Sequence, residues 1–88
     1  MERLSEYPNI GKELEKRLNN VEIKSINDLK SIGSCKAFQL LHAVDPTACI
    51  NTLMALEGAV QNIRWHYLDP AKRQELNAFL KLLNKSGK

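Results

Sequence analysis

Apolar residues recur about every three to four positions along most of the chain, which is the spacing of one buried helix face. No stretch alternates apolar and polar residues for long, so the pattern predicts helices and no strand. Five helices are predicted, over residues 12–20, 26–32, 35–43, 46–62 and 70–84. Short turns join them, and the sequence therefore predicts a compact all-α domain.

Two Asp-Pro pairs are the strongest helix start signals in the chain. Asp45-Pro46 precedes the fourth predicted helix and Asp69-Pro70 precedes the fifth. Aspartate caps a helix N-terminus well, and proline is favoured at the first helical position. We therefore expect both helices to begin at these prolines.

The second and third predicted helices are separated by a glycine. Ser25 can cap the second helix, and Asp28, three positions on, completes a pattern like a capping box. Gly33 is predicted to end this helix, and Ser34 is then placed to cap the next one.

The fourth predicted helix has so broad an apolar face that it must pack on more than one side. Gly58 interrupts this face and costs about 1 kcal/mol of helix stability unless another part of the backbone must approach there. The main stripe of apolar residues is formed by Cys49, Leu53, Leu56, Val60 and Ile63.

Length and composition indicate one small globular domain. The chain has 88 residues, of which 43% are hydrophobic and 26% are charged. We assign residues 1–84 to a single helical domain and residues 85–88 to a frayed tail. No apolar run approaches the length of a membrane span, and the first residues lack the apolar core of a secretory signal. These features predict a cytoplasmic protein without a membrane partner.

Positive charge is concentrated at the C-terminal end. The formal net charge is +3, and residues 70–88 hold five Lys/Arg against Glu75 alone. A basic last helix complements its own dipole and favours solubility. It is also typical of proteins attracted to nucleic acid.

The turn at residues 8–11 carries the most informative motif. A helix-hairpin-helix turn presents backbone N–H groups and a helix N-terminus to one DNA phosphate. Here an asparagine replaces the first glycine of such a turn, and asparagine tolerates the left-handed conformation better than most residues. The predicted phosphate contacts are Asn9, Ile10, Gly11, Lys12 and Lys16. The alternative is that the hairpin is only a folding unit.

An aromatic cluster lies between the last two predicted helices. The simplest interpretation is that Trp65 is a core residue that packs the last helix against the rest of the domain. It could instead stack on a nucleic-acid base, although an aromatic content of 6% is low for that role. A third interpretation is a protein-binding hot spot made of Arg64, Trp65 and Tyr67.

Catalytic and metal-binding motifs are not visible. Cys35, Cys49, His42 and His66 lack the paired short spacing of a zinc site, and two cysteines are too few for a disulfide framework. No nucleotide-binding loop, nucleophile elbow or paired-carboxylate motif occurs. We therefore predict no catalytic residue, no metal and no cofactor.

Two stretches of the chain carry a family resemblance. The first comprises Pro8-Asn9-Ile10-Gly11-Lys12, Leu14, Leu18, Ile26, Asp28-Leu29, Ile32-Gly33, Ala37-Phe38 and Leu41. The second, which is more specific, comprises Ala43-Val44-Asp45-Pro46, Ala48-Cys49, Asn51, Leu53, Ala55-Leu56-Glu57-Gly58-Ala59 and Arg64-Trp65. Together they resemble the C-terminal domain of the TfoX/Sxy family.

This resemblance implies a helix-hairpin-helix-like (SAM-like) domain without catalytic residues or cofactor. It also implies regulation of natural competence (DNA transformation) together with the cyclic AMP receptor protein at promoters of DNA-uptake genes. The family's named members typically carry an N-terminal α/β domain before this one. Because Met1 opens directly into the helical domain, the resemblance implies an excised fragment or a stand-alone member.

The predicted function is that of a non-enzymatic regulatory domain of a TfoX/Sxy-type competence regulator. It would assist transcriptional activation through contact with protein, DNA or both. The expected partners are a transcription factor of the cyclic AMP receptor protein type and duplex DNA. Two alternatives stay open: a helix-hairpin-helix module that binds DNA without sequence preference, and a stand-alone protein-interaction module unrelated to competence. The sequence indicates neither oligomeric state nor target genes.

Overall fold

The computed structural model of the chain describes residues 4–45 and 47–86. Within this part of the chain there are four α-helices, two short 3₁₀ turns and no strand. The helices are α1 (Lys12–Asn20), α2 (Ile26–Val44), α3 (Ile50–Gln61) and α4 (Pro70–Ser86), and the 3₁₀ turns cover Leu4–Glu6 and Trp65–Tyr67. The all-α prediction is confirmed, whereas the prediction of five helices is wrong.

The helix count differs because α2 continues past Gly33 with a bend. Gly33 has φ 83° and ψ 164°, which only glycine adopts at little cost, and helical residues follow it directly. Ser34 is not the cap of a new helix: its side chain is buried and its hydroxyl donates a hydrogen bond to Glu57 Oε1 at 2.5 Å. Gly33 therefore ends one helical segment, as predicted, but the next segment begins directly after it, so the two form one kinked element.

The predicted cap at the start of α2 is confirmed for Ser25, whereas Asp28 bonds to the residue before the cap and not to the cap itself. Ser25 Oγ accepts a hydrogen bond from the Asp28 backbone N–H at 3.1 Å. The Asp28 carboxylate in turn accepts from the backbone N–H of Lys24 at 3.1 Å. The two bonds satisfy one N–H group in the first turn of α2 and one just before the helix.

Of the two Asp-Pro start signals, only the second begins a helix. Asp69 Oδ1 accepts from the Ala71 N–H at 3.2 Å, and α4 begins at Pro70. The helix continues to Ser86, slightly beyond the predicted end; Gly87 and Lys88, from the predicted tail, lie outside the described residues.

The first Asp-Pro signal leads into a loop. Asp45 Oδ1 accepts from both the N–H and the hydroxyl of Thr47, and the Ala48 N–H bonds to the Asp45 carbonyl at 3.0 Å. These bonds close a turn, so α3 begins only at Ile50 and the prediction of a helix from residue 46 is wrong. Pro46 itself lies outside the described residues.

Helix α3 is the centre of the packing, as its broad apolar face predicts. It packs most closely against α2 and also contacts α4 and the Trp65–Tyr67 turn, while α1 packs against α2 and the Leu4–Glu6 turn. The largest fully buried side chains are Phe38, Leu4, Leu18, Leu29, Leu53, Leu56 and Leu76. The helix-hairpin-helix-like (SAM-like) packing stays a prediction.

No helix among the described residues is long and apolar enough to cross a bilayer.

Candidate functional site

The hairpin turn before α1 has the backbone conformation that its sequence predicts. The Ile10 N–H bonds to the Tyr7 carbonyl at 3.3 Å, and Asn9 between them has φ 72°. This is the left-handed region, which asparagine tolerates better than most residues. The prediction that Asn9 takes the left-handed conformation is confirmed, whereas the assignment of the turn to a helix-hairpin-helix motif stays a prediction.

The Asn9 side chain connects this turn to the far end of α3. Its Nδ2 donates to the Ile63 carbonyl at 2.9 Å and, more weakly, to the Ala55 carbonyl at 3.5 Å. Its Oδ1 accepts from the Trp65 backbone N–H at 3.1 Å. The side chain thus bonds inside the protein, and its phosphate contact stays a prediction that depends on the backbone.

Gly58 on α3 makes room for this connection. A Cβ atom at Gly58 would lie against Asn9 Nδ2, 2.8 Å from the Ile63 carbonyl oxygen and 3.1 Å from the Trp65 nitrogen. The close approach that could explain a glycine in mid-helix therefore exists. Asn9, Gly58 and the backbone of residues 63–65 form one interlocked unit, which we call the Asn9 lock.

The other predicted phosphate contacts are divided between the core and the surface. Ile10 is buried and anchors the turn, whereas Gly11, Lys12 and Lys16 are exposed. Gly11 is the N-cap of α1, with φ −91° and ψ −177°, and as a glycine it has no side chain with which to cap the helix. A Cβ at Gly11 would meet no atom within 4 Å, so the space beside the Gly11 Cα is free of the described residues.

Charges beside this helix N-terminus have both signs. Glu13, also exposed, pairs with Arg17 at 3.4 Å, and Arg17 pairs with Asp45 at 3.3 Å. Glu15 is buried and accepts a hydrogen bond from the Ser5 N–H at 3.3 Å. The two exposed lysines are thus the basic groups of α1 without such an ion pair among the described residues.

The aromatic cluster predicted as a binding surface is partly structural. Trp65 is half-buried against the core, and its ring stacks on His66 with centroids 4.2 Å apart. Arg64 and Tyr67 are exposed, and Tyr67 retains 76% of its surface. Trp65 therefore fills a core position, and the two neighbours face solvent.

Arg73, which the sequence analysis missed, fixes this cluster to α4. Its guanidinium lies over the Trp65 ring at 5.7 Å, and Nη2 donates to the His66 carbonyl and, at 3.5 Å, to the Trp65 carbonyl. A sequence signal existed: the first turn of α4 holds Lys72 and Arg73 and no acidic residue, opposite to the preference of the helix dipole.

The chemical groups of the domain suit packing better than reaction. Burial, and then the negative charges of Glu57 and Glu75, raise the pKa of the Cys35 thiol, which disfavours the nucleophilic thiolate. Among the described residues, no three His, Cys, Asp or Glu side chains are grouped to hold a metal ion.

Comparison with known proteins identifies clear relatives. Residues 1–80 match the family of the TfoX C-terminal domain. Protein Sxy of Escherichia coli (strain K12) is 35% identical over 75 residues, which are 85% of this chain and 36% of Sxy. The chain thus spans about a third of the length of that relative.

Two solved structures from Listeria monocytogenes share the fold. An uncharacterized protein in a triclinic crystal form is 49% identical, with a TM-score of 0.93 and 94% of each chain covered. A protein of unknown function in a tetragonal form is 51% identical, with a TM-score of 0.88, covering 90% of this chain and 98% of that one.

Proposed function

The chain belongs to the family of TfoX C-terminal domains, and from this premise we propose that it is a regulatory domain that acts by binding and not by catalysis. The match over residues 1–80 carries the proposal, and the Sxy relative supports a domain of the competence-regulator type. The raised pKa of the Cys35 thiol, which disfavours a nucleophilic thiolate, agrees with a binding role. Action at promoters would place the domain in the cytoplasm.

The proposed protein-binding surface surrounds Trp65. Arg73 and the Asn9 lock hold the turn of residues 65–67 in place, so Arg64 and Tyr67 project from a fixed support. Arginine and tyrosine are enriched among the residues that dominate binding energies. Family membership suggests the partner, a transcription factor of the cyclic AMP receptor protein type.

Binding of the chain to the cyclic AMP-loaded receptor protein tests this proposal. We expect Tyr67→Ala to weaken binding by about tenfold, as loss of a hot-spot side chain does. Val44→Ala is the matched control, because Val44 is similarly exposed, at 71%, on a different helix. Isothermal titration calorimetry measures both. No binding by the unmodified chain, or equal losses in the two variants, would contradict the proposal.

DNA contact at the N-terminus of α1 is the second candidate, and a specific observation favours it. The N-cap residue Gly11 is exposed and has no side chain, and Lys12 and Lys16 are exposed beside it. Unbonded N–H groups at such a start attract phosphate, and the lysines can reach the flanking phosphates. The exposed carboxylate of Glu13 opposes this attraction.

A titration of fluorescent duplex DNA at about 50 and 200 mM salt tests this candidate. We expect micromolar binding that collapses at the higher salt. Lys12→Ala should reduce the salt slope by about one unit, whereas Lys36→Ala, at another exposed lysine, should not. Gly11→Val should abolish binding and keep the helix content, because the Gly11 backbone is extended and open. Unchanged affinity in Lys12→Ala and Gly11→Val would exclude the hairpin.

A further inference from the structure

The C-terminal half of α4 presents an apolar side chain to solvent. Leu82 is 66% exposed, whereas Leu76 is buried and Phe79 is half-buried against the core. Three other exposed residues share the face of Leu82 at the i, i+3, i+4 and i+7 spacing of a helix. We call this face the α4 stripe; it consists of Ala78, Lys81, Leu82 and Lys85.

The charges of the α4 stripe are all positive. Among the described residues, neither Lys81 nor Lys85 forms an ion pair. Glu75, the acidic residue of α4, lies further towards the helix N-terminus and pairs with Lys72 at 3.2 Å. The helix dipole favours lysines near a helix C-terminus, but it does not favour an exposed leucine between them. The dipole therefore accounts for the two lysines and not for the leucine.

We propose that the α4 stripe binds an acidic amphipathic helix of another protein. The apolar face of that helix would cover Leu82 and Ala78, and its carboxylates would pair with Lys81 and Lys85. Burial of the leucine supplies affinity, and the complementary charges fix the orientation of the partner. A leucine at the centre of the stripe favours this partner over duplex DNA, whose phosphates gain nothing from an apolar contact.

This inference goes beyond the proposed function, because it concerns another surface. Arg73, which contacts Trp65, lies in the first turn of α4, and Leu82 follows it nine positions later, about 13 Å along the helix axis. Neither the surface around Trp65 nor the N-terminus of α1 includes a residue of the α4 stripe. Loss of binding at one surface therefore leaves the others testable.

The test uses a synthetic acidic helix of about sixteen residues with leucines at i, i+3, i+4 and i+7 and glutamates and alanines elsewhere. A scrambled peptide of the same composition keeps the charge and removes the apolar face. We expect the acidic helix to shift the backbone amide NMR signals of residues 78–85 in the full chain and the scrambled peptide to leave them unchanged. Binding should weaken as salt is added.

Three variants separate the apolar from the charged contribution. Leu82→Asn should weaken binding about tenfold or more, and Lys81→Gln with Lys85→Gln should weaken it about fivefold. Lys30→Gln with Lys36→Gln removes the same charge from exposed positions on α2 and should change the affinity less than twofold.

Several outcomes would overturn the proposal. Equal binding of the scrambled peptide would reduce the interaction to general charge attraction. Signal shifts centred on other residues would place the site elsewhere. If the chain self-associates and Leu82→Asn abolishes this, the stripe binds a second copy of the chain. If duplex DNA shifts the same signals more strongly than the peptide does, the stripe binds nucleic acid.

Discussion

Asn9 and Gly58 depend on each other. Asn9 bonds to groups on either side of Gly58, and the absence of a side chain at Gly58 leaves the space that these bonds need. At this scale, each residue is explained by the other.

The first prediction concerns Gly58→Ala. In an ordinary helix interior this change stabilises by about 1 kcal/mol. Here the new methyl group would overlap Asn9 and the backbone of residues 63–65, so we expect a loss of about 1–3 kcal/mol in the free energy of unfolding. Urea unfolding followed by circular dichroism measures it. Gly11→Ala, at an open position, is the control and should change stability by less than about 0.5 kcal/mol. If Gly58→Ala instead stabilises the protein, Asn9 and the backbone of residues 63–65 can move to admit the methyl group at little cost in free energy.

The second prediction concerns Asn9→Gly, which keeps the left-handed backbone and removes the side-chain hydrogen bonds. We expect a loss of about 1–3 kcal/mol, because the buried partners lose their bonds. Combined with Gly58→Ala, the losses should be less than additive, since the alanine then has one neighbour fewer. Strict additivity in the same urea experiment would mean that the two residues act independently.

At the scale of elements, the ends of α1 and the start of α4 are predictable from sequence. Their signals are local: a glycine before a periodic apolar face, and an aspartate that caps its own helix. The start of α3 and the continuity of α2 are not predictable in this way. Asp45 also caps, but what it closes is a turn with Thr47, and Ser34 bonds to Glu57 on another helix.

In the candidate surfaces, too, the features set by neighbouring residues are predictable from sequence, and the contacts between distant residues are not. That asparagine could take the left-handed position at residue 9 follows from its chemistry, and the open N-cap at Gly11 follows from the local pattern. The partners of the Asn9 side chain lie 46 to 56 positions away, and no periodicity connects such distant residues. Arg73 had a local signal in its unfavourable place in the first turn of α4.

The third prediction tests that signal with Arg73→Ala. The loss of a cation from a helix N-terminus, considered by itself, would raise the free energy of unfolding by about 0.3–1 kcal/mol. Because Arg73 also bonds to two carbonyls and lies over Trp65, we expect a net loss of about 1–2 kcal/mol. The fluorescence of the single tryptophan should shift to longer wavelength as its ring becomes wetter. Lys72→Ala, at the neighbouring position, is the control. A stabilised Arg73→Ala protein would show that the unfavourable helix-dipole interaction of Arg73 outweighs its hydrogen bonds and its contact with Trp65.

At the scale of the whole molecule, Asp45 joins three elements. It ends α2, accepts hydrogen bonds from Thr47 in the loop before α3, and pairs with Arg17 on α1. The hydrogen bonds from Thr47, and to a lesser extent the charge of Arg17, lower the pKa of the Asp45 carboxyl. The ionised carboxylate is therefore the form that the folded state prefers.

The fourth prediction follows from the direction of that shift. A carboxyl with a lowered pKa in the folded state contributes its stability above its unfolded pKa and loses it as pH falls through the folded value. We therefore expect the melting temperature to fall with acidification below about pH 4, and to fall less steeply in Asp45→Asn. Glu6→Gln, at an exposed carboxylate on the N-terminal turn, is the control. If the melting temperatures of the unmodified and Asp45→Asn proteins fall in parallel with pH, Asp45 does not contribute to the loss of stability in acid.

The Asn9 lock also dictates an order of events during synthesis. A ribosome delivers the N-terminal turn first, but the backbone groups that hold Asn9 lie on residues 55 to 65. The turn therefore lacks the hydrogen bonds of the Asn9 side chain until α3 and the segment after it have emerged. A nascent chain stalled before that point should be cut by protease between residues 4 and 10, and a chain released a few residues later should resist cleavage there.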